Sequence, residues 1–314
     1  MEKPRKPGHR PDESRTYPSA RSGVEQARRH KSETPQTSST AYELAYSDDD
    51  FLCREELRPV RLQLELLKPE VLLQEEEVDS TFVIFGSSRI NESDAAAKNL
   101  QAAEAELAKS PADHELLRNV KIARRMCENA RYYDEARKLA RRISSCRKNG
   151  EHNYLYVVTG GGPGIMEAAN RGAHDVGSKS IGLNIVLPDE QGPNHYITPE
   201  LCFQFHYFAL RKMHFLMRAK ALCVFPGGFG TLDELFETMT LIQTGKIAPM
   251  PLLLFGEKFW SNVINFETLI EEGTISPGDI NLFQYVETAD EAWEIVRDFF
   301  DLPGDTAESP RQTG

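Results

Sequence analysis

The chain has 314 residues, 40% of them hydrophobic and 27% charged, and a net charge of −11. Those proportions exclude a fully disordered, collagen-like or disulfide-scaffold protein. No apolar run of about 18 residues offers a membrane helix, and the acidic balance leaves no global footprint for nucleic acid. The charge is uneven along the chain. Residues 1–36 hold nine Lys/Arg against five Asp/Glu, with five prolines. This composition predicts a disordered tail over residues 1–45, and the tail lacks the apolar core of a signal peptide. Residues 46–78 are expected to form a helical extension. Within it Leu57, Val60, Leu64, Leu67 and Val71 recur at helical spacing, and Pro59 and Pro69 are expected to kink or split the helix.

Thr81–Phe85 then reads as a short strand closed by Gly86-Ser87-Ser88. Residues 92–109 are alanine-rich and helical. Residues 113–148 read as an arginine-rich helix or helix pair, solvated on its face. From residue 154 β-type runs (154–159, 180–187, 221–225, 251–255) alternate with helical stretches (164–176, 207–219, 231–244, 257–272, 288–300). Strict alternation predicts an α/β fold, a Rossmann-like doubly wound parallel sheet with helices on both faces. The catalytic domain is drawn over residues 79–302, and 303–314 is a frayed terminus. In such a sheet the loops after the strands share one edge, where ligands bind.

The five cysteines, Cys53, Cys127, Cys146, Cys202 and Cys223, are odd in number, widely spaced and free of CxxC. Neither a disulfide framework nor a zinc site is indicated, and free thiols fit the cytoplasm. No His/Cys/Asp cluster falls at ligand spacing, so no metal and no other cofactor is expected.

Two glycine loops follow strands. The first is Gly160-Gly161-Gly162-Pro163-Gly164, and the second is Pro226-Gly227-Gly228-Phe229-Gly230-Thr231. A strand, a glycine turn and a helix start present free N–H groups and a positive dipole end, which hold phosphate. Neither loop is a GxGxxG dinucleotide fingerprint or a GxxxxGK[ST] P-loop, and no ribose-binding acid follows the next strand, so a mononucleotide is the expected ligand. A second reading stands beside this one. Thr231-Leu232-Asp233-Glu234 also has the form of a capping box, with Thr231 as N-cap, and a capped helix needs no ligand. Likewise, Arg211 reads either as a surface charge or as a partner of Glu234 at the sheet edge.

Residues 226–234 resemble the PGGxGTxxE signature of the LONELY GUY family, the cytokinin-activating phosphoribohydrolases often mislabelled lysine decarboxylases. Gly160–Met166 is similar to the family's GGGxxGxM loop, and Arg211-Lys212 falls at the family's spacing from the glutamate. The resemblance spans about residues 80–300. It implies hydrolysis of the N-glycosidic bond of a nucleoside 5′-monophosphate, AMP or a cytokinin nucleotide, to free base and ribose 5-phosphate. It makes Arg211 and Glu234 catalytic. It makes Gly86, Ser87, Ser88, Gly160, Gly161, Gly162, Gly164, Met166, Lys212, Pro226, Gly227, Gly228, Phe229, Gly230, Thr231 and Thr240 substrate-binding. Glu190 is the candidate for an upstream binding acid. A homodimer or higher homo-oligomer is implied, with no membrane or nucleic-acid partner.

The chemistry agrees with these parts. Ribosyl C–N cleavage builds oxocarbenium-like charge, which a carboxylate at Glu234 can offset while activating water. A pyridoxal-phosphate decarboxylase would need a Schiff-base lysine in a cofactor loop, and none is recognisable. The alternative is a non-catalytic nucleotide or molybdenum-cofactor carrier of the same fold, which would need no acid at Glu234.

Overall fold

The computed structural model describes residues 17–29, 33–148, 152–153, 155–188 and 192–302. It divides into two units, residues 1–64 and 65–314. The larger unit is built on a seven-stranded, all-parallel sheet. Its strands are β1 (Thr81–Phe85), β4 (Tyr156–Thr159), β5 (Ser180–Ile185), β6 (Cys202–Phe205), β7 (Ala219–Val224), β8 (Leu252–Phe255) and β9 (Gln284–Val286), in the order β6-β5-β4-β1-β7-β8-β9. Two further two-residue strands, β2 (Arg147–Lys148) and β3 (His152–Asn153), pair with each other, antiparallel.

The helices of this unit are α4 (Ser93–Lys109), α5 (His114–Asn129), α6 (Arg131–Ser145), α7 (Ile165–Asp175), α8 (Phe208–Met217), α9 (Phe229–Gln243), α10 (Glu257–Val263), α11 (Phe266–Glu271) and α12 (Ala289–Phe300). Parallel strands joined through helices take right-handed crossovers, which place helices on both faces of the sheet. The alternation of β1 shows the two faces. Phe82 and Ile84 join α6, α7 and α12 in one core, while Phe85 on the other face meets Phe215 of α8 edge-on at 4.7 Å.

The middle of the order, β4-β1-β7, decides the site. These three neighbours pair in parallel, with a register shift between Thr81 and Phe82 on the β7 side, and each is followed by one of the three marked loops. The Gly86, Gly160 and Pro226 turns therefore emerge side by side at the carboxyl edge, where the winding reverses.

Several expectations need correction. The segment 113–148 is a helix pair, as one of its two readings had it, but α6 is a core element rather than a solvated one. Its Tyr132, Tyr133, Ala136, Leu139, Ala140 and Ile143 fall on one stripe and are buried, leaving the arginines on the other face. The extension contains α3 (Arg58–Glu75), which runs unbroken through both prolines. Pro59 occupies the first turn, where its missing N–H has no partner in any case. Pro69 is interior, and burial of its ring and of Leu73 offsets the lost bond. The buried face of α3 is thus the Pro69/Leu73 face, and Leu67 and Val71 of the expected stripe are exposed. β6 and β9 were not legible as strands.

In the smaller unit, the stretch expected to be disordered contains α1 (Ala20–Arg29), supported by an Arg21–Glu25 pair one turn apart, and a 3-10 turn at Thr40–Tyr42; the expected helical extension then opens on a second 3-10 turn and α2 (Asp49–Leu52). The Tyr46 hydroxyl donates to the Ala20 carbonyl at 3.1 Å and ties these pieces together. Residues 1–16, 189–191 and 303–314 lie outside the described residues, and with them Glu190.

Candidate active site

The three loops are stitched by their backbones. Ser87 donates its N–H to Pro226 O at 3.0 Å, and Ile165 donates to Ser87 O at 3.1 Å. The Gly86 turn is thereby held between the two glycine loops. Close packing explains the glycines on this side. A Cβ on Gly86 would press on Ile165 at 2.6 Å, and one on Gly164 would meet Ser87 O at 2.5 Å. Gly164 also sits at φ 71°, where a side chain is strained.

The first loop is buried and held from behind by a polar network that sequence reading missed. The Asn194 amide donates to Gly161 O, to Gly162 O and to Asn170 Oδ1 at 3.0–3.1 Å. Asn170 accepts from Thr159 at 2.7 Å and donates to Ser180 at 3.0 Å. The Gly161 and Gly162 carbonyls are thereby held toward the protein. Scattered single asparagines carry no motif, so only the fold brings them together.

The second loop is different. α9 begins at Phe229 with Gly228 as N-cap, and no side chain caps it. The capping-box reading is therefore corrected. Thr231 lies inside the first turn, buried, where its side chain fills the space a Cβ on Gly227 would need. The helix start keeps its free N–H groups and positive dipole end for an anion. Because Glu234 is not used as a cap, its carboxylate is available to the pocket.

A cavity of about 630 Å³ opens over these loops. Its lining includes Gly86, Ser87, Ser88, Gly160, Met166, Arg211, Glu234 and all of Pro226–Thr231. Gly161, Gly162 and Gly164 do not line it and act behind it. Lys212 and Thr240 also stand outside it, in an adjoining open depression. There Lys212 bridges Asp233 at 2.8 Å and Glu237 at 3.3 Å, which ties α8 to α9, while the Thr240 hydroxyl donates to Phe236 O at 2.7 Å. The cavity further takes in Met126 and Asn129 from the end of α5 and Phe259 from α10. Sequence reasoning missed these because they lie far from any glycine motif.

Glu234 is only 6% exposed, and burial pushes its carboxyl up to about 7, against the pull of the positive charges on Lys212 and Arg211. Arg211 is fixed in place. Its Nε donates to Leu183 O at 2.7 Å, its guanidinium lies 5.2 Å from the centre of the Phe215 ring, and Nη2 would stand 2.7 Å from a Cβ on Gly160. A guanidinium, a buried carboxyl with a raised pKa and an uncapped helix start thus share one cavity. This arrangement suits a phosphorylated ligand whose reaction develops positive charge. Among the described residues no cluster of His, Cys, Asp and Glu could hold a metal ion, and no helix is long and apolar enough to cross a membrane.

The chain matches a family model described as "possible lysine decarboxylase" over residues 166–296. It is 30% identical over 138 residues to the probable cytokinin riboside 5'-monophosphate phosphoribohydrolase LOG4 of Oryza sativa subsp. japonica, covering 43% of this chain and 59% of that relative. It is also 30% identical over 152 residues to the cytokinin riboside 5'-monophosphate phosphoribohydrolase LOG3 of Arabidopsis thaliana, covering 47% of this chain and 68% of the relative. The chain belongs to the LONELY GUY family. Among solved structures, a molybdenum-cofactor carrier protein from Chlamydomonas reinhardtii aligns with a TM-score of 0.38 at 20% identity, over 55% of this chain and 88% of that one. At that level it bears on neither the activity nor the ligand. The LONELY GUY signature residues Pro226–Thr231 and Glu234 are the ones gathered at the cavity.

Proposed function

We propose that the protein hydrolyses the N-glycosidic bond of a nucleoside 5′-monophosphate, AMP or a cytokinin riboside monophosphate, to free base and ribose 5-phosphate. The observation that carries this reading is Glu234, a buried carboxyl beside Arg211, one turn into a helix whose glycine start opens on the same cavity. The 5′-phosphate sits on the N–H groups of the second loop, and its binding energy positions the sugar. As the C–N bond breaks, the bonding pair leaves with the base and C1′ becomes electron-poor. Ionised Glu234 offsets that charge and takes the proton of the attacking water, whose oxygen ends on C1′. The proton balance closes on the base nitrogen. Arg211 keeps Glu234 partly ionised and faces the phosphate.

Exposed Phe229, Phe236, Met213 and Met217 support a homodimer or higher homo-oligomer, and five free cysteines support a cytoplasmic setting. The test is a product assay with purified protein on AMP, CMP, GMP, IMP and isopentenyladenosine monophosphate. Free base and ribose 5-phosphate are expected from an adenine-type nucleotide. Folded protein that releases no base from any of them contradicts the reading.

A further inference from the structure

The part of α3 from Glu65 onward bears on the helix that carries Arg211. The two carboxylate oxygens of Glu65 accept the backbone N–H groups of His206 (2.9 Å) and Tyr207 (3.1 Å), the two residues that lead into α8. Tyr207 is the N-cap of α8, and its carbonyl accepts the N–H of Arg211 at 3.2 Å. One glutamate therefore grips the turn that sets the rotation of Arg211 about the helix axis. Its charge also sits at the positive end of the α8 dipole.

The far end of α8 is held by the same helix. Arg218, its C-cap, pairs with Glu70 and donates Nε to Val78 O at 3.1 Å. Fully buried His214 brings Nδ1 to 3.5 Å from the same Glu70 carboxylate. Between these two anchors Arg211 reaches β5 through its bond to Leu183 O. Glu70 meets charged or ionisable side chains, as a docking contact would. Glu65 instead meets two backbone amides at the start of α8, and a contact that merely docked α3 would have no need of that turn.

We propose that Glu65 is a positioning residue for the reaction: it caps the entrance to α8 and so fixes where the Arg211 guanidinium stands over the cavity. The inference rests on the proposed phosphoribohydrolase reading, in which Arg211 acts on the nucleotide. A catalytic group displaced by about 1 Å can lose up to about 10²-fold in rate while substrate still binds.

The experiment measures kcat and KM for AMP, or for whichever nucleotide the product panel selects, in the full chain and in Glu65→Ala, Glu65→Gln and Glu76→Ala. Glu76 lies just beyond α3, half-buried, and pairs with Lys179 at 2.8 Å, so it reports the loss of an ion pair at the end of α3. Glu65→Ala is expected to lower kcat about 10-fold with KM changed less than about threefold, Glu65→Gln to fall between it and the parent, and Glu76→Ala to match the parent. If Glu65→Ala does not fold, Glu65→Gln decides alone: a lower kcat at constant KM supports the role, and an unchanged kcat overturns it. Loss of kcat in Glu76→Ala equal to that in Glu65→Ala also overturns it. An active parent with unaltered Glu65 variants sinks this inference alone, whereas a folded parent with no turnover sinks the proposed function and this inference with it.

Discussion

The two glycine loops look alike in sequence and differ in structure. In the first, the glycines answer to the protein. Gly161 and Gly164 have positive φ, Gly164 stands against the Ser87–Ser88 backbone, and Asn194 holds the loop carbonyls from behind. In the second, Gly228 and Gly230 are exposed, have ordinary φ, and have nothing among the described residues within 4 Å of a built Cβ. A glycine that neither the backbone nor the packing requires marks a place kept clear for something else to approach. On the proposed reading, Gly161 and Gly164 serve the architecture of the first loop, and Gly228 and Gly230 leave room for the ligand at the second.

Substitutions can break that assignment. The largest effect is expected from Gly164→Ala, where strain and the Ser87 clash together should cost about 3 kcal/mol or more, read as a drop in the urea midpoint. Gly228→Ala should leave the midpoint unchanged yet lower kcat/KM by about 10²-fold, because a methyl group would stand where the phosphate meets the helix start. If Gly228→Ala instead destabilises the fold and spares activity, the division between the loops is wrong. Asn194→Ala should cost about 1 kcal/mol by removing the amide's bonds to Gly162 O and Asn170, while Gly161 O keeps the Asn194 backbone N–H, with a smaller loss of activity.

The smallest effect concerns pH. Burial raises the Glu234 pKa from 4.5 to about 7 in the folded state. The native state therefore holds this proton more tightly, and its contribution to stability is complete below about pH 4.5 and lost as pH rises through about 7. Glu234→Gln should melt a few degrees above the parent at pH 8, and the gap should close by pH 4.5. A constant gap across that range would mean the carboxyl is not buried as described.

Much of the fold was legible in the sequence, because β-runs and helical periods alternate from Thr81 onward and dictate a covered parallel sheet. β6 was missed because Cys202–Phe205 lies in an aromatic run that leads straight into a helix. The core role of α6 was missed because arginine content masked the Tyr132–Ile143 stripe. At the site, Arg211, Glu234 and the glycines carry motif spacing. The Asn170–Asn194 network, Asn129 of α5 and the Glu65 anchor carry none. They are single polar residues that only the topology brings into place: Asn194 lies 24 positions from Asn170, and Glu65 lies 141 from His206. Thr231 shows the opposite error. Its local pattern fits a cap, but the glycines start the helix two residues earlier.

The central claim is that Glu234 performs the cleavage rather than shaping the pocket. The direct measurement compares AMP binding by calorimetry with adenine release by chromatography in the parent and in Glu234→Gln. The account predicts that the variant binds AMP within a few-fold of the parent and releases adenine about 10³-fold more slowly. Full turnover by Glu234→Gln would contradict it.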